Sequence, residues 1–214
     1  MTPDDLARRH PYLYHATTPG AAQSIEKHDL LPTSSLLDLF EVHGAARCRI
    51  ERHPSRTGVA LHHPLHGTAV ISDNSPLSVG ALEVRLDDGP HAADWLRMLN
   101  ERVFFWADEQ GLARLLRSRL NRRRVRDVLV VDALSLARAH GTAMEIMPIN
   151  TGAAIRGPAR RGLATFSPLC AYSYEEWQTL RGRRDRILEV TIREPVPDIQ
   201  ALLIRIIRCE AGSL

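Results

Sequence analysis

The first residues that can do chemistry lie in Tyr14-His15-Ala16-Thr17, near the start of the chain. The residues around Tyr14 predict a strand, and Thr17 or Thr18 predicts the N-cap of a helix that follows at once. An imidazole and a hydroxyl at such a junction can meet a ligand that also contacts the N–H groups of the helix. We expect this segment to form the floor of a nucleotide-binding cleft, although a lone histidine in a strand is more often structural.

Glu189 is the acidic candidate, in the segment Arg186-Ile-Leu-Glu-Val-Thr-Ile192. The segment predicts a strand in which Glu189 shares a face with Ile187 and Thr191. A carboxylate among apolar neighbours either points to solvent from an edge strand or lies in a cleft. In a cleft it would polarise a sugar hydroxyl or stabilise an oxocarbenium ion.

Three consecutive aromatic residues, Phe104-Phe105-Trp106, follow Leu99-Asn-Glu-Arg-Val103 in a chain with only 5% aromatic residues. Strand alternation sends Phe104 and Trp106 to one face and Phe105 to the other. One face is expected to fill the core, and the other either does the same or stacks on a planar ring such as nicotinamide or adenine.

Small and polar residues surround two further turns, Asn150-Thr151-Gly152 and Arg160 to Phe166. They fit either the close approach of a ligand or plain turns. No dinucleotide-binding GxGxxG, phosphate-loop GKS or GKT, or GxSxG motif is present, which disfavours the enzyme classes that depend on them. The histidines 53, 62, 63 and 66 lack the partners of a specific metal site, so no metal is predicted.

Arginine carries nearly all the positive charge, because Lys27 is the sole lysine and the formal net charge is +3. The densest run, residues 114–126, has leucines at helical spacing, which predicts a helix with one packed face and outward arginines. This surface is either simply solvated or binds phosphates and nucleic acid, for which guanidinium groups are well suited.

The chain of 214 residues is predicted to be a single domain, 1–214, of α+β class. Short strands alternate with modest helices without a regular βαβ rhythm. Residues 43–57 predict a mobile or ligand-facing loop, and residues 163–166 predict a strand. No run approaches the roughly 20 apolar residues of a membrane span. The acidic N-terminus and three widely spaced cysteines lead us to expect a cytoplasmic protein.

These stretches together resemble a bacterial domain family related to the DarT-type, NAD-dependent ADP-ribosyltransferases. The resemblance implies a split, bent, mixed or antiparallel sheet with flanking helices, and a cleft that binds NAD as co-substrate. It also implies a toxin or defence effector that modifies a nucleic acid and is controlled by an antitoxin protein. The stretches that carry it are Leu13 to Thr17, Leu99 to Trp106, Asn150 to Gly152, Arg161 to Phe166 and Leu188 to Ile192.

The resemblance also implies roles for particular residues. Glu189, His15 and Arg52 would be catalytic, and Arg52 or Arg56 would meet the pyrophosphate or the acceptor. The residues implied to bind NAD are His15, Thr17, Arg56, Phe104, Phe105, Asn150 and Thr165.

The sequence departs from the family pattern at one aromatic position, where phenylalanine replaces the tyrosine of a His-Tyr-Glu triad. A phenylalanine can stack on a ring but cannot donate a hydrogen bond. Two alternatives therefore remain, a non-catalytic module that binds NAD or another nucleotide, and an enzyme resembling RNA 2′-phosphotransferases. In the latter, His15 and several arginines rather than Glu189 would dominate catalysis.

Overall fold

Seven strands form one antiparallel sheet in the order β7-β6-β8-β4-β1-β5-β9, and β2 and β3 form a separate hairpin. The computed structural model describes residues 1–74, 77–87, 89–119, 121–153, 159–181 and 187–210. The antiparallel sheet and its flanking helices confirm the α+β class. The strands are β1 (Tyr12–Thr17), β2 (Val59–His63), β3 (Gly67–Ile71), β4 (Val103–Trp106), β5 (Arg126–Asp132), β6 (Met144–Met147), β7 (Ser167–Pro168), β8 (Glu189–Ile192) and β9 (Leu203–Cys209).

The described helices flank this sheet, and aspartate side chains start two of them. Asp108 accepts a hydrogen bond from the Gly111 N–H at 2.5 Å, and Asp132 accepts one from the Ser135 N–H at 2.8 Å. The helices are α1 (Pro3–Arg9), α2 (Ala21–His28), α3 (Thr33–Leu39), α4 (Gly44–Arg52), α5 (Val79–Glu83), α6 (Ala92–Asn100), α7 (Glu109–Leu116), α8 (Ala133–His140), α9 (Tyr174–Arg181) and α10 (Ile199–Leu202).

Strand β5 lies between β1 and the edge strand β9, and its apolar sequence is explained by packing on both of its faces. Leu129 and Val131 face the largest hydrophobic cluster, whereas Val128 and Val130 face a second cluster that includes α7. All four are at most 1% exposed. A strand covered on both faces has no need of alternating polar residues.

Two sequence predictions about local structure are wrong. Residues 43–57 were expected to form a loop, but α4 occupies most of them, because Glu51 binds Arg47 within the helix and its carbonyl accepts from Asn100 of α6. Residues 163–166 were expected to form a strand, but Leu163–Thr165 is a single turn of 3₁₀ helix. The alanine, arginine and glutamate residues of α4 favour a helix, and hydrogen bonds between Gly162 and Thr165 close the turn at 163–165.

Several boundaries also differ from the sequence predictions. Helix α2 begins at Ala21 after Gly20, whose φ of 84° suits glycine, instead of at a threonine cap. Helix α7 ends at Leu116, so many arginines of the run 114–126 lie in the following turns. Leu120 and Arg186, at which a packed leucine and the start of a strand were expected, lie outside the described residues.

The main sheet divides between β1 and β4. These strands pair only where Tyr14 lies opposite Trp106, whereas β1 and β5 pair over six positions. Beyond Tyr14 the side chain of His15 fills the gap, and its Nδ1 lies 2.8 Å from the carbonyl oxygen of Phe104. The His15 side chain thus hydrogen-bonds to the Phe104 carbonyl, which would otherwise accept a hydrogen bond from the backbone of the neighbouring strand.

No helix among the described residues is long and apolar enough to cross a bilayer.

The hairpin β2–β3 has its own small core with α3, which includes Leu37, Phe40 and Leu61. It is hydrogen-bonded to α2 through backbone carbonyls of its turn, at Leu65 and His66.

Candidate functional site

A cleft of about 350 Å³ opens where β1 and β4 separate. Its floor is made by the end of β1 and by β4, and its walls by β3 and the segment after it, α2, α3 and α6. The loop 150–152 and Glu189 of β8 close one end. Segments far apart in the chain therefore meet in one concave site, which is the usual setting of a ligand pocket.

Glu189 is 5% exposed and lies in the wall of this cleft. Its Oε2 accepts hydrogen bonds from the Thr151 N–H at 3.0 Å and from Thr151 Oγ1 at 2.7 Å. Burial raises the pKa of Glu189 to about 7, although the Thr151 hydrogen bonds and the Arg161 charge oppose the rise. The carboxyl group is therefore poised between its two protonation states near neutral pH.

His15 is fixed in one tautomer by its contact with Phe104. A carbonyl oxygen can only accept, so Nδ1 of His15 carries the hydrogen and Nε2 holds a lone pair. Burial lowers the pKa of His15, which favours the neutral ring. The ring also meets the edge of Phe105, with 5.8 Å between centroids. A neutral imidazole in the cleft can accept a hydrogen bond from a ligand hydroxyl.

The two phenylalanines differ in their surroundings, although both line the cleft. Phe105 is 1% exposed and belongs to the main hydrophobic cluster, so it mainly fills the core. Phe104 is only half-buried, and strand register places it opposite Thr191, on the face of β8 that also carries Glu189. Phe104 is therefore the better placed of the two to stack on a bound ring.

The structure brings together most of the residues nominated from the sequence. Six of them line the cleft, namely His15, Thr17, Phe104, Phe105, Asn150 and Glu189.

The other three nominated residues lie outside the cleft lining. Arg52 pairs with Asp94 at 3.1 Å, on the exposed side of α4 and α6. Arg56 is exposed in the segment after α4. Thr165 is buried in the 3₁₀ turn, where its Oγ1 accepts the Gly162 N–H at 3.0 Å. Arg52 and Arg56 can contact only a ligand or acceptor that extends beyond the cleft. Thr165 supports the local backbone.

Two groups of ion-paired side chains at the cleft were not nominated from the sequence. Arg102 lines the cleft but binds Glu145 through two hydrogen bonds, of 2.7 and 3.1 Å, and both side chains are 7% exposed. Asp73 also lines it and binds Arg124 and Arg126. The charged residues themselves are visible in the sequence, but no local pattern pairs residues 43 or more positions apart.

A cluster of histidines joins the hairpin to α2. The His66 ring lies 4.7 Å from that of His63 and 5.4 Å from that of His28, centroid to centroid, and Lys27 is adjacent. The described residues contain no group of three or more His, Cys, Asp or Glu placed to hold a metal ion. The rings of the cluster pack against one another, and they repel one another when they are protonated.

This cluster predicts a loss of stability in acid. Burial, then the neighbouring His63, His28 and Lys27, lowers the pKa of His66, while Glu41 acts weakly in the opposite sense. The unfolded chain therefore binds a proton more readily, and stability falls as the pH drops below about 6.5. We expect the free energy of unfolding, measured with urea, to fall less between pH 7.5 and pH 5.5 in His66→Gln than in wild type.

The control for this prediction is His62→Gln, since His62 is exposed and its ring contacts Thr68. It should keep the pH dependence of the wild type. Equal pH dependence in wild type and His66→Gln would show that the cluster does not sense protonation.

A family model described as a family of unknown function (DUF7002) matches residues 11–203. The chain belongs to this family. No curated protein and no solved structure matches it. The DUF7002 match starts just before β1 and reaches the first residue of β9, so it includes every residue that lines the cleft.

The cleft of this DUF7002 protein combines three chemical capacities. Glu189 offers a carboxylate with a pKa near neutrality, His15 a neutral hydrogen-bond acceptor, and Phe104 a partly exposed aromatic face. Such a set can hold a sugar next to a planar ring and stabilise positive charge that develops on the sugar.

Proposed function

We propose that this protein is an NAD-dependent ADP-ribosyltransferase that modifies a nucleic acid, as a toxin or defence effector would. The observation that carries the proposal is the convergence of His15, Phe104, Asn150 and Glu189 in one cleft. These residues belong to four separate stretches of the sequence that resemble the DarT-related family. Their meeting around one cavity is what an NAD site of that type requires.

In the proposed reaction NAD binds with its nicotinamide against Phe104 and its ribose near His15. The bond between C1′ of the ribose and N1 of nicotinamide breaks, and nicotinamide leaves with the bonding electrons. Ionised Glu189 stabilises the oxocarbenium character at C1′. The acceptor atom then bonds to C1′, and its proton passes to the Glu189 carboxylate or to water. The buried carboxylate acts through its charge, which is stronger in a site from which water is excluded.

Arginines near the cleft support a polyanionic acceptor. Arg124 and Arg126 contact Asp73 at the cleft wall, and the turn that leads to them has exposed arginines at positions 117, 119, 122 and 123. Guanidinium groups bind phosphates in two-pronged fashion, so this surface suits a nucleic-acid backbone. An antitoxin that neutralises the protein remains a prediction from the resemblance.

The proposal is tested by incubating the purified protein with NAD labelled in the adenylate moiety, together with single- and double-stranded DNA, RNA and protein. We expect the label on a nucleic acid and the release of nicotinamide. If the label is transferred to no acceptor and NAD is not hydrolysed, the proposed activity is contradicted.

The second candidate is a module that binds NAD or ADP-ribose without turnover. The observation in its favour is that Phe104 and Phe105 have no hydroxyl, whereas the resemblance implies the tyrosine of a His-Tyr-Glu triad. Calorimetry with NAD distinguishes the two candidates, because binding without release of nicotinamide indicates the module. An enzyme of the 2′-phosphotransferase type would instead remove a 2′-phosphate from RNA in the presence of NAD.

A further inference from the structure

Arg161 is a buried cation next to the cleft, and its side chain is not used in the proposed reaction. It is 2% exposed, and its guanidinium donates to three backbone carbonyls, those of Ala159 at 3.2 Å, Asn150 at 3.0 Å and Ala153 at 2.7 Å. Its Nε has no hydrogen-bond partner among the described residues. The hydrogen bonds of the side chain to the described residues thus go to carbonyls and none to a carboxylate.

The carbonyls of Asn150 and Ala153 belong to the loop that holds Glu189. The Nη2 atom of Arg161 donates to the carbonyls at both ends of this loop, and Thr151 lies between them in the chain. Thr151 in turn donates its N–H and its hydroxyl to the same Oε2 of Glu189. The Trp95 indole N–H also donates to the Thr151 carbonyl, at 3.4 Å.

The backbone of Arg161 is itself held by backbone hydrogen bonds to a neighbouring segment. Its N–H donates to the Arg85 carbonyl at 2.9 Å, and its carbonyl accepts the Asp87 N–H at 2.7 Å. These two bonds tie it to the segment after α5, in a bridge between Leu86 and Arg161. These backbone bonds fix the position from which the guanidinium extends to the loop 150–153.

We propose that Arg161 is a positioning residue, which clamps the loop 150–153 so that Thr151 aims the Glu189 carboxylate into the cleft. A buried charge with an unpaired donor costs stability, and an apolar side chain would fill the same space at lower cost. Three carbonyls that point to one centre need a planar group with several diverging N–H donors, which lysine does not offer. The value of Arg161 for catalysis rests on the proposed function, but its hold on Glu189 does not.

The experiment compares Arg161→Lys and Arg161→Met with the wild type. In protein labelled with ¹³C at the glutamate side-chain carboxyl, NMR follows the titration of Glu189, which is assigned by its absence in Glu189→Gln. We expect the pKa of Glu189 to rise above its value of about 7 in both variants. In Arg161→Met the charge and the clamp are lost, whereas in Arg161→Lys the charge is kept and the clamp is lost. Thr151→Val, which removes the hydroxyl donor directly, should shift the titration in the same direction.

The matched control is Arg160→Met, because Arg160 is adjacent, exposed and paired with Asp87. It should leave the Glu189 titration unchanged. An unaltered Glu189 titration in Arg161→Lys, with unaltered amide exchange at residues 150–153, would overturn the proposal. Arg161→Lys keeps the charge and most of the volume, so it provides the result if Arg161→Met does not fold.

The activity readout separates this proposal from the proposed function. If wild type transfers ADP-ribose, Arg161→Lys should lose roughly 10- to 100-fold in kcat with little change in KM, because a misplaced carboxylate weakens transition-state stabilisation. If wild type does not act on NAD, the titration and the amide exchange still decide whether Arg161 positions Glu189.

Discussion

Glu189→Gln is expected to lower ADP-ribosyl transfer by roughly 10²–10³-fold while NAD binding is largely retained. Glutamine is nearly isosteric, and its amide oxygen can still accept the two hydrogen bonds of Thr151. Only the negative charge is lost, and that charge is what stabilises the oxocarbenium ion. The measurement is the rate of nicotinamide release at pH 8, with NAD affinity determined by calorimetry.

The same substitution should change the dependence of stability on pH. The pKa of Glu189 is about 7 in the folded protein against 4.5 ordinarily, so folding favours the protonated form. The resulting stability is complete below pH 4.5 and is lost as the pH rises to about 7. Glu189→Gln should therefore be more stable than wild type above pH 7, by on the order of 3 kcal/mol. Urea unfolding at pH 5 and pH 8 measures this difference.

Glu175→Gln is the control, because Glu175 is exposed on α9 and does not line the cleft. It should leave both the activity and the stability near wild type. Retention of full activity by Glu189→Gln would show that the carboxylate has no catalytic charge effect. Equal stability differences at the two pH values would show that burial does not raise its pKa.

The second large effect concerns the buried pair of Arg102 and Glu145. Replacing Arg102 with Met leaves the Glu145 carboxylate buried, with the Thr191 hydroxyl at 3.1 Å and Arg193 at 3.7 Å as remaining partners. It also removes the stacking of the guanidinium on Phe166 and the bond to the Met98 carbonyl. We expect the free energy of unfolding to fall by about 3–5 kcal/mol. For a chain of this size, that loss lowers Tm by roughly 10 °C.

Two comparisons test the reason for this loss. Arg97→Met removes an exposed pair between Arg97 of α6 and Glu101, which directly follows that helix, and it should cost less than about 1 kcal/mol. The double variant Arg102→Met/Glu145→Met buries no charge, so it should recover much of the lost stability. If the double variant is as unstable as Arg102→Met alone, the loss comes from packing and not from the unpaired carboxylate.

Local patterns in the sequence were enough to place the regular elements that have strong signals. The apolar run around Val128–Val131 predicts a strand, Asp108 predicts a helix cap and residues 133–140 predict a short helix, and all three are present in the structure. These signals are local, because a buried strand and a helix cap each depend on neighbouring residues. The helix α4 has helix-forming residues but no side-chain cap, and its Glu51 carbonyl is bonded by Asn100 of α6, a contact that no local pattern predicts.

The residues of the candidate site were visible in the sequence, but their environments were not. Glu189 had two equal interpretations, solvent-exposed at an edge or placed in a cleft, because strand alternation does not tell which strands are neighbours. Pairing of β8 with both β4 and β6 removes the edge interpretation and buries the carboxylate. Arg52 and Thr165 were nominated from the family resemblance, and neither lines the cleft, because their neighbours in space are Asp94 and Gly162.

The sequence by itself determined the α+β class, the main strands and the residue types that can do chemistry, since these follow from composition and short-range periodicity. Only the tertiary structure decided that His15, Phe104, Thr151 and Glu189 meet, that burial brings the pKa of Glu189 to about 7, and that Arg161 holds the loop beside it. The physical reason is that desolvation and hydrogen-bond geometry depend on which distant segments pack together. No spacing along the chain records that choice.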